Sequence, residues 1–419
     1  NKEIVVANQN DMSAHSRFHV MAKPIGPLCN LDCSYCFYLH KQNLLETSNN
    51  WRMSDEVLEN FIMQYIQGQN HDEIVLSWQG GEPTLLGLEF FEKVVELEKK
   101  NCTLGKKIEK DLQTNGKHLD DKWWRFLGQN NFLVGLSIDG PKELHDKQRV
   151  DKKGGSTFDK VFNAAKLLKK HCVSFNTLTT VNRDNAKQPL EVYRFLRDEI
   201  RPRAIQFNPV VEVKVFEDTA PPFWGSFSPP KMDNPMAQPG NEYSIVTDWS
   251  VKSEDYGDFL CAIFDEWYKY DYGKTFIYNF ECAVKQWMGM SGTMCVFGPI
   301  CGKGLAIEHD GNIDSCDHFV YPEYLLGNIK KENLADMAFS DQQKKFGFSK
   351  DRTLPQYCQK CEFLFACHGE CPKNRILFTL DGEPGLNYLY SGLKKYFSYI
   401  KPHVEEIVEQ IKMTNQTVT

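Results

Sequence analysis

Between Phe18 and Asn208 six short apolar runs alternate with stretches of helical periodicity, an order that restricts this part of the chain to a sheet of parallel strands. The runs predict strands over 18–23, 73–78, 108–113, 133–138, 173–181 and 204–207. Among the intervening helices, 54–67 has the clearest signals: Ser54 suits an N-cap, Asp55 and Glu56 suit the first turn, and Val57, Leu58, Phe61, Ile62 and Tyr65 make one apolar face. Six strand–helix units in series imply right-handed crossovers, in a sheet that is either doubly wound or curled into a barrel. In both cases chemistry gathers at the C-terminal ends of the strands.

After Phe207 the pattern changes. Seven of the nineteen prolines fall within 209–239, which predicts a long irregular excursion, either a lid or an insertion. Helical patterning resumes over 255–270, and a last amphipathic helix is expected over 388–413. At 419 residues the chain has room for an α/β domain and a second module. Its net charge of −7, without a long basic stripe, argues against a nucleic-acid partner. No apolar run reaches the roughly 18 residues of a membrane helix. Residues 1–16 lack a charged-then-apolar layout, so no signal peptide is expected and a cytoplasmic location follows.

Fourteen cysteines in such a chain fit metal binding or catalysis better than disulfides. Three stand together in Cys29-Asn-Leu-Asp-Cys33-Ser-Tyr-Cys36, directly after the first strand. A four-iron cluster is usually held by four thiolates, so three leave one iron open to chelate a cofactor. S-adenosylmethionine (SAM) uses such an iron through its amino and carboxylate groups. The alternative is a zinc knuckle lacking a ligand. Seven more cysteines lie at Cys295, Cys301, Cys316, Cys358, Cys361, Cys367 and Cys371, too many for one metal and close to enough for two. Cys102, Cys172, Cys261 and Cys282 are scattered and read as small buried hydrophobes.

The first motif resembles that of the radical SAM superfamily, and further motifs follow in order: Gln79-Gly80-Gly81-Glu82-Pro83, Gln113-Thr114-Asn115-Gly116 and Ser137-Ile138-Asp139-Gly140-Pro141. The resemblance implies that Cys29, Cys33 and Cys36 bind a [4Fe–4S] cluster and that Tyr35, Gly81, Ser137, Arg149 and Val211 contact SAM. The seven distant cysteines resemble a SPASM domain, which carries two auxiliary [4Fe–4S] clusters. Cys316-Asp317-His318-Phe319, Leu326-Gly327-Asn328-Ile329 and Cys361-Glu362-Phe363-Leu364-Phe365-Ala366-Cys367 together resemble anaerobic sulfatase-maturating enzymes, from about Phe18 to Phe397. The implied fold is α/β: a partial (β/α)6 TIM-like barrel over 18–250, with an insertion over 209–250, then a SPASM domain over 251–385 and a C-terminal helix and tail over 386–419, all after an extension of residues 1–17.

Carried over by position, Cys295, Cys301, Cys316 and Cys371 bind the first auxiliary cluster. The second receives Cys358, Cys361 and Cys367, but Tyr390 follows Leu386-Asn387-Tyr388-Leu389 where the family has its fourth cysteine. A phenolate oxygen from Tyr390, an open iron, or a labile or missing cluster would each account for this, and the open iron is favoured.

The resemblance implies oxidation of a cysteine or serine in an unfolded sulfatase polypeptide to Cα-formylglycine. SAM cleavage would remove a hydrogen from the target β-carbon, Asp317 would take the proton, the auxiliary clusters would take the electron, and Tyr38 and Gln79 would hold the peptide. A flavodoxin or ferredoxin would supply the initiating electron. Two rivals stand beside this: a SPASM enzyme that forms a thioether or carbon–carbon link in a ribosomal peptide, and a non-enzymatic iron–sulfur or zinc scaffold.

Overall fold

The computed structural model describes residues 12, 17–43, 45, 50–102, 105–216 and 229–416. Most of the extension 1–17 and the middle of the proline-rich segment therefore lie outside the described residues. All six expected strands form: β1 (His19–Lys23), β2 (Glu73–Trp78), β3 (Lys107–Thr114), β4 (Phe132–Ser137), β5 (Phe175–Val181) and β6 (Ala204–Pro209). They pair in sequence order, and every pair is parallel.

The helix Asp55–Gly68 starts as its sequence predicts, with the Ser54 hydroxyl accepting from Val57 N–H at 3.2 Å. Its buried face includes Ile66 besides the five expected apolar residues. The fifth strand begins two residues later than expected. Cys172 adopts a left-handed conformation (φ 53°) and Val173 N–H bonds back to Leu168 O at 2.9 Å, so both residues close the preceding helix.

The sheet continues past the six units on both sides. β7 (Phe276–Ile277) pairs parallel with β6, while β8 (Gly304–Glu308) pairs parallel with β1 over all five of its residues. β9 (Asn312–Asp314) and β10 (Leu325–Asn328) then extend that edge in antiparallel fashion. The segment carrying the distant cysteines is thus hydrogen-bonded to the strand that precedes the first cysteine motif.

The helix Ser253–Glu266 runs on through a wider turn, Trp267–Asp271, and crosses the last helix, Tyr390–Gln416. The crossing requires glycine: a Cβ on Gly392 would lie 1.8 Å from Ser253 O, and one on Gly257 2.6 Å from Gly392 O. The described parts of the proline-rich segment are anchored, with Val213 bridging to Val246 and Lys231 to Phe378. No helix among the described residues is long and apolar enough to cross a membrane.

Candidate active site

The loop after β1 is held by the ends of its neighbours. Gly81 N–H donates to Gly26 O (2.8 Å) and Glu82 N–H to Leu28 O (2.9 Å), while Asp32 and Ser34 N–H groups donate to Val150 O and Gln148 O. Asn115, just past β3, donates to Asn30 Oδ1 at 2.8 Å and approaches Cys29 Sγ at 3.7 Å. Glu82, itself buried, accepts from Thr84, Thr114 and the Asn115 N–H, which ties the ends of β2 and β3 together. At Gly81 a Cβ would stand 2.0 Å from Leu28 O, so only glycine permits this approach.

Cys29, Cys33 and Cys36 are close enough to act on one another's ionisation. Burial pushes the Cys29 and Cys33 thiols up to about 12 and raises Cys36 as well. A buried thiol in such a place becomes a thiolate only beside positive charge, which bound iron supplies. The donor set therefore fits the iron–sulfur cluster that the sequence implies.

Behind the loop, the fully buried Asp139 accepts from the Tyr35 hydroxyl, from Arg149 Nε at 3.0 Å and from the Thr180 N–H at 3.0 Å. The Arg149 guanidinium also lies 5.5 Å from the centre of the Tyr35 ring. Ser137 ends β4 and accepts from Gln113 Nε2 at 2.8 Å. Gln79 follows β2, its N–H donating to Ala22 O, and Val211 lies just beyond β6, its carbonyl accepting from Lys373 Nζ. Tyr35 and Gly81 lie beyond the C-terminal ends of β1 and β2, Ser137 ends β4 and Arg149 follows it.

Asp317 reaches this region through one contact that the sequence did not announce. It forms an ion pair with Lys23, the last residue of β1, whose ammonium sits 4.2 Å from the centre of the Tyr38 ring. Burial alone would raise the Asp317 carboxyl, but Lys23, with His318 and Lys41 near it, holds it below the usual carboxylate range. The Tyr38 hydroxyl donates to both oxygens of Glu308, at 2.7 and 2.6 Å, and burial pushes that carboxyl up to about 7. Two carboxylates near one lysine thus take opposite protonation behaviour.

The distant cysteines form two sets. Cys316 has Cys371, Cys301 and Cys295 as its charged neighbours, and Cys367 has Cys358 and Cys361. The Arg375 guanidinium is electrostatically coupled to thiols of both sets, Cys301 and Cys371 of the first and Cys358 and Cys367 of the second. Its guanidinium donates to the carbonyls of Lys350, His368 and Gly369. Among the described residues no three His, Cys, Asp or Glu are gathered as for a single metal ion.

Comparison with known proteins agrees with this arrangement. The family model described as Radical SAM superfamily matches residues 24–196, and the SPASM model, an iron–sulfur cluster-binding domain, matches residues 295–362. Fold and site together define a radical SAM enzyme with an auxiliary iron–sulfur domain. A serine-type anaerobic sulfatase-maturating enzyme of Bacteroides thetaiotaomicron is 44% identical over 94% of this chain and 92% of its own length. The cysteine-type enzyme of Clostridium perfringens is 31% identical over 94% of this chain and 99% of its own. The structure of native anSMEcpe with bound AdoMet and Cp18Cys peptide superposes with a TM-score of 0.78 at 32% identity, covering 94% of this chain and 99% of that one. The chain belongs to the anaerobic sulfatase-maturating enzymes.

Proposed function

We propose that this enzyme oxidises a serine or cysteine side chain in an unfolded sulfatase polypeptide to Cα-formylglycine, and that Asp317 is the base. The ion pair of Asp317 with Lys23 carries the base assignment, because it keeps a partly buried carboxylate ionised, the form that can accept a proton. For a serine target the oxidation removes one hydrogen atom from Cβ, one proton from Oγ and one electron. When bound, the cluster and SAM supply the hydrogen-abstracting radical.

The chain's own residues have separate tasks. Cys29, Cys33 and Cys36 hold the SAM-binding cluster, and Tyr35, Gly81, Ser137, Arg149 and Val211 hold SAM. Asp139 positions Tyr35 and Arg149 for that purpose. Tyr38 and Gln79 hold the peptide, and Asp317 receives the proton. Cys295, Cys301, Cys316 and Cys371 would hold one auxiliary cluster and Cys358, Cys361 and Cys367 another, and such clusters would supply acceptors for the substrate electron. A flavodoxin- or ferredoxin-like donor supplies the initiating electron. We place the reaction in the cytoplasm, where a reducing medium preserves fourteen cysteines without disulfides. We divide the chain into the barrel, 18–250, and the auxiliary cluster domain, 251–385.

The test is anaerobic incubation of the reconstituted enzyme and SAM with peptides of Ser-x-Pro-x-Arg and Cys-x-Pro-x-Arg type, followed by mass spectrometry. An aldehyde, trapped by a hydrazine, is the expected product. A cross-linked peptide without aldehyde would overturn the proposal.

A further inference from the structure

The set Cys358, Cys361 and Cys367 lines a small, mostly apolar cavity, and Tyr390 lines the same cavity from the start of the last helix. The proximity of Tyr390 invites its phenol as the missing fourth ligand, but its surroundings point elsewhere. Its ring packs edge-on against Tyr357, with centroids 5.9 Å apart, and the ionisable groups acting on its hydroxyl are Tyr357, Glu254 and Asp233. A phenolate oxygen is also a harder donor than the thiolates that cubane iron favours.

Among the described residues no other Cys, His, Asp or Glu lines the cavity. Cys282 faces Thr293, Met294 and Gln286, and Cys261 faces Asp258, Asp265 and Lys395; neither lines the cavity. Glu383, the acid near Cys358, accepts from the Gln356 N–H at 2.8 Å, and Glu362 is paired with Lys401 at 3.0 Å. Asn387 gives its amide to Glu370 and to the Gly369 and Cys371 carbonyls. The cavity is nevertheless reachable from outside, because Tyr357, Cys361 and Lys394 also line the adjoining surface groove.

We infer that the second auxiliary cluster is bound by three thiolates only, and that its fourth iron faces the cavity beside Tyr390, open to a small external thiolate. This rests on the proposed role of Cys358, Cys361 and Cys367 as ligands. Iron in a cubane favours soft donors, and Lys394, which lines both the cavity and the adjoining groove with its ammonium 5.9 Å from the centre of the Tyr357 ring, suits an anionic sulfur. Tyr390 is then an aromatic wall that takes the space of a ligand without binding.

The holoenzyme tests this directly. It is reconstituted, freed of thiols and saturated with S-adenosylhomocysteine, which offers the open iron of the first cluster the same amino and carboxylate groups but has no sulfonium to be cleaved on reduction. Deuterated mercaptoethanol or isotope-labelled cyanide is then added, and the reduced enzyme is examined by electron–nuclear double resonance. One coupled ligand per chain is expected in the wild type and in Tyr390→Phe, both with roughly twelve iron atoms per chain. Tyr390→Cys should close the corner and remove the coupling. Loss of about four irons in Tyr390→Phe, an iron–phenolate band in the wild-type resonance Raman spectrum, or full iron without coupling would overturn the open corner. A wild-type content of about eight irons would instead overturn the ligand role of the three cysteines.

Discussion

Lys23, at the end of the first strand, and Asp317, beside the auxiliary ligand Cys316, form an ion pair that joins the two halves of the site. The pair forms where β8, residues 304–308, lies parallel to β1 with Glu308 opposite Lys23, and the chain returns through β9 to bring Asp317 to the same lysine. The proposed proton acceptor is thereby placed beside the strand that leads into the first cysteine motif.

Replacing Asp317 by Asn should lower aldehyde formation by roughly 10²–10⁴-fold, the usual contribution of a positioned base. Reductive SAM cleavage without peptide oxidation should persist. Lys23→Met should act on the same step differently: without the ammonium, burial raises the Asp317 carboxyl, and the acid limb of the pH–rate profile moves to higher pH. An unchanged profile in Lys23→Met, measured by peptide mass spectrometry, would separate the lysine from the base.

Glu308 gives a stability signature with a definite sign. Its carboxyl titrates near 7 when folded, against an ordinary value of 4.5, so between these pH values the folded chain holds a proton that the unfolded chain releases. Stability therefore falls as pH rises through that window, by up to about 3 kcal/mol for this group. Glu308→Gln keeps an acceptor for Tyr38 and removes the titration. Its thermal midpoint should gain on the wild type as pH is raised from about 5 to about 8.

Much of this fold could be read from residue order, because period and turn chemistry are local. The helix at 55–68 and the second strand carry their own signals in Ser54 and in the run Glu73–Trp78. What stayed hidden depends on contacts distant in sequence. Lys23 reads as the polar end of a strand, and Glu308 likewise ends the apolar run Gly304–Glu308; only the pairing of β1 with β8 makes them neighbours. Asp139 was visible inside Ser137-Ile138-Asp139-Gly140-Pro141, but its bonds to Tyr35 and Arg149 were not. The one available signal was a charge at the end of a buried strand.

Gly81→Ala should separate fold from cofactor binding. The added Cβ meets the Leu28 carbonyl at 2.0 Å, so the cluster loop must move away from the end of β2, while the core beneath is untouched. SAM affinity, read by equilibrium dialysis of the reconstituted protein, should weaken at least roughly tenfold, about 1.4 kcal/mol, with a thermal midpoint near the wild type.

Asp139→Asn should do the reverse and damage both. The fully buried carboxylate is the anionic partner of Arg149 and the acceptor of the Tyr35 hydroxyl. Neutralising it leaves a buried guanidinium without its counter-charge, a loss of about 3–5 kcal/mol in comparable pairs. Both the thermal midpoint and SAM affinity should fall, and Asp139→Glu should restore part of each.

Arg375 offers the electrical counterpart. Its guanidinium, fixed by three backbone carbonyls, is coupled to thiols of both auxiliary sets, and its charge would favour the reduced, more negative state of whichever cluster takes the electron. Arg375→Met should make the auxiliary midpoint potentials more negative in an anaerobic redox titration followed by electron paramagnetic resonance, while the SAM-bound cluster near Cys29 stays where it was. Peptide oxidation should slow, because the substrate electron then has a less favourable acceptor. A shift confined to the SAM-binding cluster would place the electron's route away from Arg375.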